Sequence, residues 1–108
     1  MVEKVTIVYS KNFIEYLDDL VKVLYFKEYF GFIESADMYT DKIYDFIEIN
    51  ISTFPSKKTP IQLQHLGSNY VFYKSNQRTV WYIFFEQSNS NYLITNIINS
   101  HNEEIKWL

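Results

Sequence analysis

The sequence predicts an α+β fold: a helical hairpin packed on one face of a small, mostly antiparallel sheet, in the order β-α-α-β-β-β. Three observations predict it. Apolar residues recur at steps of three and four between Lys11 and Ile51, the spacing of helices buried on one side. Three β-branched and aromatic runs then follow between Tyr70 and Ile98, the composition of strands. The polar links between those runs are short enough for hairpins. A chain of 108 residues has room for one core, so residues 1–108 form a single domain.

The elements follow in order. Lys4–Tyr9 (KVTIVY) reads as a short strand. Ser10 follows as an N-cap, its hydroxyl free to accept a backbone N–H of the first helical turn. From Lys11 to about Tyr29, Phe13, Leu17, Leu20 and Leu24 share one helix face, and Gly31 breaks the pattern. A second helix begins near Ser35 and buries Ala36, Tyr39, Ile43, Phe46 or Ile47, and Ile51. Asp37, Asp41, Asp45 and Glu48 mark its solvent face, and Pro55 ends it. The few residues between the helices predict an antiparallel pair.

Pro55–Gly67 (PSKKTPIQLQHLG) holds two prolines and no clear period, so it reads as a connecting loop. The strands are Tyr70–Lys74, Thr79–Glu86 and Tyr92–Ile98, linked by Ser75–Gln77 and Gln87–Asn91, rich in Ser and Asn as turns are. Asn99–Leu108 is a tail, in which Glu103–Leu108 adds a helical turn with Trp107 and Leu108 against the body. There is no internal repeat, and one sheet face stays open or partly open.

Composition narrows the chemistry. With no cysteine there is no disulfide framework, thiolate site or thiol nucleophile, which fits a cytoplasmic protein. No signal peptide is evident, and no apolar run reaches the roughly 20 residues of a membrane span. HExxH, P-loop, GxGxxG and GxSxG patterns are absent. Two histidines without cysteine make a metal site unexpected, and no cofactor is called for. His65, beside Leu66-Gly67, reads as structural or exposed. The net charge of −3 is uneven: residues 1–54 carry 5 Lys/Arg against 10 Asp/Glu, and residues 55–108 carry 5 against 3. The basic half therefore offers an anion-binding side.

Hairpin connectivity gathers that charge. Alternating strand direction brings the end of Tyr70–Lys74, the start of Thr79–Glu86 and the end of Tyr92–Ile98 to one edge. Lys74, Arg78 and His101 sit there. Alternation along the middle strand puts Thr79, Trp81, Ile83 and Phe85 under the helices. Arg78, Val80, Tyr82, Phe84 and Glu86 face the other way, where an aromatic and a guanidinium suit stacking on bases and gripping phosphate. Taken singly, a terminal histidine, a strand-edge arginine or the pair Lys57-Lys58 is ordinarily a solvated surface group. Their convergence is the signal.

The loop KKTPIQLQHLG (Lys57–Gly67), YVFYK (Tyr70–Lys74), RTVWYIFF (Arg78–Phe85) and YLITNIINSH (Tyr92–His101), in this element order, resemble the RelE/ParE superfamily of toxins from bacterial type II toxin–antitoxin modules. The resemblance covers nearly the whole chain. It implies a cognate antitoxin as partner, and either ribosome-dependent cleavage of mRNA or, as in ParE-like members, inhibition of DNA gyrase without cleavage. A member that only binds antitoxin is a third reading. It also implies that Arg78 matches the arginine that contacts the scissile phosphate, that His101 matches a C-terminal histidine, and that Lys57 or Lys58 matches a basic residue before the first hairpin strand. Asn102 stands after His101 where many nucleases of the family have tyrosine, and the chain is more acidic than ribosome-directed members.

Under the nuclease reading a 2′-hydroxyl attacks the adjacent phosphate, without metal. His101 serves as acid or base, because an imidazole titrates near neutral pH. Arg78 braces the phosphate and Lys57 adds positive charge. Lys58 and Lys74 hold the RNA backbone, and Tyr73 or Tyr82 stacks on a base.

Overall fold

A computed structural model describes residues 4–26, 33–75 and 79–108. In chain order its elements are β1 (Thr6–Tyr9), α1 (Lys11–Phe26), α2 (Ile33–Asn50), β2 (Lys57–Lys58), a 3-10 helix at Ile61–Leu66, β3 (Asn69–Lys74), β4 (Val80–Ser88), β5 (Asn91–Asn99) and a second 3-10 helix at Glu103–Trp107. The fold is mixed α and β, as the periodicities predict. The order differs: four strands follow the helices, because Lys57 and Lys58 pair antiparallel with Tyr70 and Asn69. A two-residue strand carries no measurable alternation, so the expected loop hid it.

The sheet order is β1-β5-β4-β3-β2. β2, β3, β4 and β5 are antiparallel neighbours, and β1 lies parallel to β5 on the outside. Ser10 caps α1 as expected: its hydroxyl accepts the Phe13 N–H at 3.1 Å and donates to the Thr95 carbonyl at 2.8 Å. One side chain thus starts the helix and ties it to β5.

Phe13 and Leu17 of α1, with Ile43 and Ile47 of α2 and Ile51 just beyond it, are buried on Val71, Trp81, Ile83, Phe85, Tyr92, Ile94 and Ile97. Each such side chain contributes about 1.5–3 kcal/mol on leaving water. The helices run antiparallel: Phe13 meets Tyr44, while Tyr16 and Tyr39 both meet Trp81. The second helix ends at Asn50, before Pro55; the Asn50 side chain donates to the Phe46 carbonyl at 3.1 Å. Gly31 lies outside the described residues.

β5 contains a bulge. Phe85 pairs with Ile94 and Phe84 with Asn96, so Thr95 is the extra residue. This lets Ile94 and Ile97, three apart, both face the helices. The Thr95 hydroxyl and the Asn96 amide both donate to the Leu66 carbonyl, pinning the first 3-10 helix to the far side of the sheet. There a second cluster forms from Leu63, Tyr70, Phe84 and Ile98, with Leu66, Tyr82, Ile105 and Leu108 packed on it. The helix-free face is therefore covered over part of its area. Leu108 packs back as expected, whereas Trp107 stays 44% exposed and leaves that role to Ile105.

The second hairpin is tighter than its polar sequence suggests. β4 runs to Ser88 and β5 starts at Asn91, so Asn89 and Ser90 alone turn the chain, with Asn89 at φ 55°. Asparagine tolerates that left-handed conformation better than most residues.

Candidate functional site

The rim at the ends of β3 and β5 is built by backbone pairing. Lys74 stands opposite Val80. The Ser100 N–H donates to the Val80 carbonyl at 2.8 Å, and Val80 N–H donates to the Ser100 hydroxyl at 3.1 Å. One residue further out, Ser75 N–H donates to the Thr79 carbonyl at 3.1 Å. On the β5 side His101 follows, its Nε2 3.2 Å from the Thr79 hydroxyl and its backbone N–H on the Asn99 side-chain oxygen at 2.9 Å. Lys74 and His101 thus share one end of the sheet, both exposed. Arg78 lies outside the described residues; Thr79, the next residue, is at the rim.

From the rim a groove of about 280 Å³ runs over the helix-free face, lined by Lys57, Tyr70, Phe72, Val80, Tyr82 and Leu108. Strand alternation explains the lining: Tyr70, Phe72 and Lys74 point one way from β3, and Val80 and Tyr82 the same way from β4. The Lys57 ammonium lies 5.7 Å from the Phe72 ring centre, within cation–π range. Burial, then the neighbouring Tyr82, pushes the Tyr70 hydroxyl above the usual tyrosine range, so it remains protonated. The groove lining holds one cation and no acidic side chain.

The expected residues separate into three places. Lys74 and His101 are at the rim. Lys57 and Tyr82 are in the groove. Tyr73 is on the opposite face, its ring 5.0 Å from Phe46 of α2, so the two tyrosines expected to stack on bases do not share a surface. Lys58, adjacent to Lys57 and exposed, alternates away from the groove. Lys57 is level with Tyr70, four residues along β3 from Lys74 and three strands across from β5. Strand spacings of about 4.8 Å across and 3.3 Å along put its Cα about 20 Å from that of His101.

Phe72, Tyr70 and Thr79 were not singled out by the sequence. The alternation of β3 carried the signal for the first two. The contact between Thr79 and His101 joins residues 22 apart and had no local signature. A second hollow of about 330 Å³ lies at the other end of the sheet, lined by Val8, by the end of β4 at Glu86, Gln87 and Ser88, and by the start of β5 up to Leu93, without a cation. Among the described residues, no group of three or more His, Asp or Glu could hold a metal ion. Among them, too, no helix is long and apolar enough to cross a membrane. In comparisons with known proteins, no family model, curated protein or solved structure matches the chain.

Proposed function

We propose that this chain is the toxin of a bacterial type II toxin–antitoxin module of the RelE/ParE superfamily, acting in the cytoplasm as a ribosome-dependent mRNA endonuclease that needs no metal. The observation that carries this reading is that Lys74 and His101 share a rim continuous, through Val80, with an aromatic groove holding Lys57 and Tyr82. An extended RNA strand needs such a track: flat rings for bases and cations spaced along a backbone.

In the reaction, the 2′-oxygen forms a bond to the adjacent phosphorus and its proton passes to a base. The bond from phosphorus to the 5′-oxygen breaks, and that oxygen takes a proton from an acid. His101 exchanges one of these protons, and Arg78 and Lys74 balance the charge on the phosphate. Because Lys57 stands about 20 Å from His101 by strand spacing, it holds a neighbouring phosphate rather than the scissile one. The antitoxin docks on exposed apolar surface, of which Val8 and Leu93 form one patch.

The test is inhibition of a cell-free translation system, with mapping of mRNA 5′ ends. Wild-type protein cleaves, and His101→Ala and Arg78→Ala do not. Full inhibition by both variants defeats the assignment. A second reading, a gyrase inhibitor that cuts nothing, is favoured by one observation: His101 is the single imidazole at the rim, and the groove lining offers no acidic partner for it. Loss of supercoiling activity with intact mRNA selects that reading. Harmless expression without antitoxin selects an inactive, antitoxin-binding member.

A further inference from the structure

The Trp81 indole sits under the helices at 2% exposure, and its N–H donates to the Tyr39 hydroxyl of α2 at 2.9 Å. The Tyr39 oxygen is in turn 2.9 Å from the Ser75 hydroxyl, and Ser75 is 3.3 Å from the Thr79 carbonyl. The direction of this chain is fixed. An indole only donates and a carbonyl only accepts, so Tyr39 donates to Ser75 and Ser75 donates to Thr79. Thr79 then presents its own hydroxyl to His101 Nε2 at 3.2 Å. Tyr39 on α2 is therefore connected to the imidazole at the rim through two residues, Ser75 just after β3 and Thr79 just before β4.

We infer that Tyr39 and Ser75 are positioning residues for His101: they fix the Thr79 backbone, and with it the hydroxyl that orients the imidazole. Neither touches the groove. The inference deepens the proposed function, since an acid–base group is useful only in a set orientation. Its physical content, that the His101 ring senses Ser75, holds whatever His101 acts on.

A purely structural role is the competing account, because Tyr39 also satisfies the buried Trp81 N–H, and Tyr39→Phe orphans that donor. Ser75→Ala separates the two. It leaves the bond from Trp81 to Tyr39 intact and removes the Ser75 hydroxyl, and with it the acceptor for Tyr39 and the side-chain bond to the Thr79 carbonyl, while the Ser75 backbone N–H still donates to that carbonyl. The experiment records the His101 ring-nitrogen NMR shifts and the thermal midpoint of wild type, Ser75→Ala, Tyr39→Phe and, as a control on the same helix, Tyr44→Phe. The expected result is that Ser75→Ala and Tyr39→Phe both move the His101 shifts toward those of Thr79→Val, with the Ser75→Ala midpoint unchanged and the control silent. In single-turnover RNA cleavage the same two variants lose about five- to ten-fold in rate, the worth of one hydrogen bond, with unchanged RNA affinity. His101 shifts that stay at wild-type values in Ser75→Ala and Tyr39→Phe overturn the inference. Shifts that move in a protein that cuts no RNA uphold the positioning and overturn the nuclease reading instead.

Discussion

Replacing Gly67 with alanine tests how the first 3-10 helix is held on the sheet. Gly67 follows that helix with φ 156° and ψ 154°, a region nearly confined to glycine. A Cβ built there lies 2.6 Å from the Thr95 hydroxyl, 2.9 Å from Phe84 Cβ and 2.9 Å from the Phe85 backbone nitrogen. The first neighbour can rotate. The other two belong to a central strand and cannot move without shifting the sheet. Backbone strain costs about 1–3 kcal/mol and overpacking about the same again, so Gly67→Ala should lose roughly 2–6 kcal/mol. At about 4 °C per kcal/mol for a domain of this size, that is a drop of about 8–24 °C in Tm. Circular dichroism melts and urea titrations of Gly67→Ala, with exposed Ser68→Ala as control, provide the measurement. A loss under about 1 kcal/mol would mean that the 3-10 helix can lift from β4 and β5 at little cost, refuting the account of the covered face.

Thr95→Val keeps the β-branched shape but deletes the hydroxyl that bonds the Leu66 and Phe84 carbonyls; urea unfolding should register a loss of about 1–2 kcal/mol, limited by the Asn96 amide that still holds Leu66. Lys57→Met should weaken binding to single-stranded RNA and lower the slope of log affinity against log salt by about 0.7, one phosphate contact, as read by filter binding over a salt series. Burial raises the hydroxyl pKa of Tyr9, Tyr16, Tyr44 and Tyr70, with Glu48 adding to the effect at Tyr9. Above pH 10, the ordinary tyrosine value, the native state binds more protons than the unfolded state, so stability should fall as pH rises. Urea midpoints between pH 8 and 12 should decline from about pH 10, and Tyr9→Phe should lessen the decline.

The chemistry at the rim was legible where it depends on strand direction. Three strands joined by short links must alternate, so the sequence distance between Lys74 and His101 did not matter. The groove was less legible. Tyr73 and Tyr82 look equivalent as aromatic strand residues, and only the pairing of Tyr73 with Trp81 and of Phe72 with Tyr82 decides which of them lies under α2. Thr79 carries no mark of its partner, because a hydroxyl gains its role from whatever the far end of β5 brings to it.

The sequence by itself determined the local periods. Steps of three and four gave α1 and α2, alternation gave β3, β4 and β5, and Ser10 announced the start of α1, because each depends on neighbours a few residues away. Tertiary structure alone decided the rest. β1 found its place parallel to β5, Lys57-Lys58 became an edge strand, and Thr95 bulged so that Ile94 and Ile97 could both meet the helices. These outcomes follow from hydrogen bonds and packing between segments tens of residues apart, whose free energy depends on a partner that no local pattern specifies.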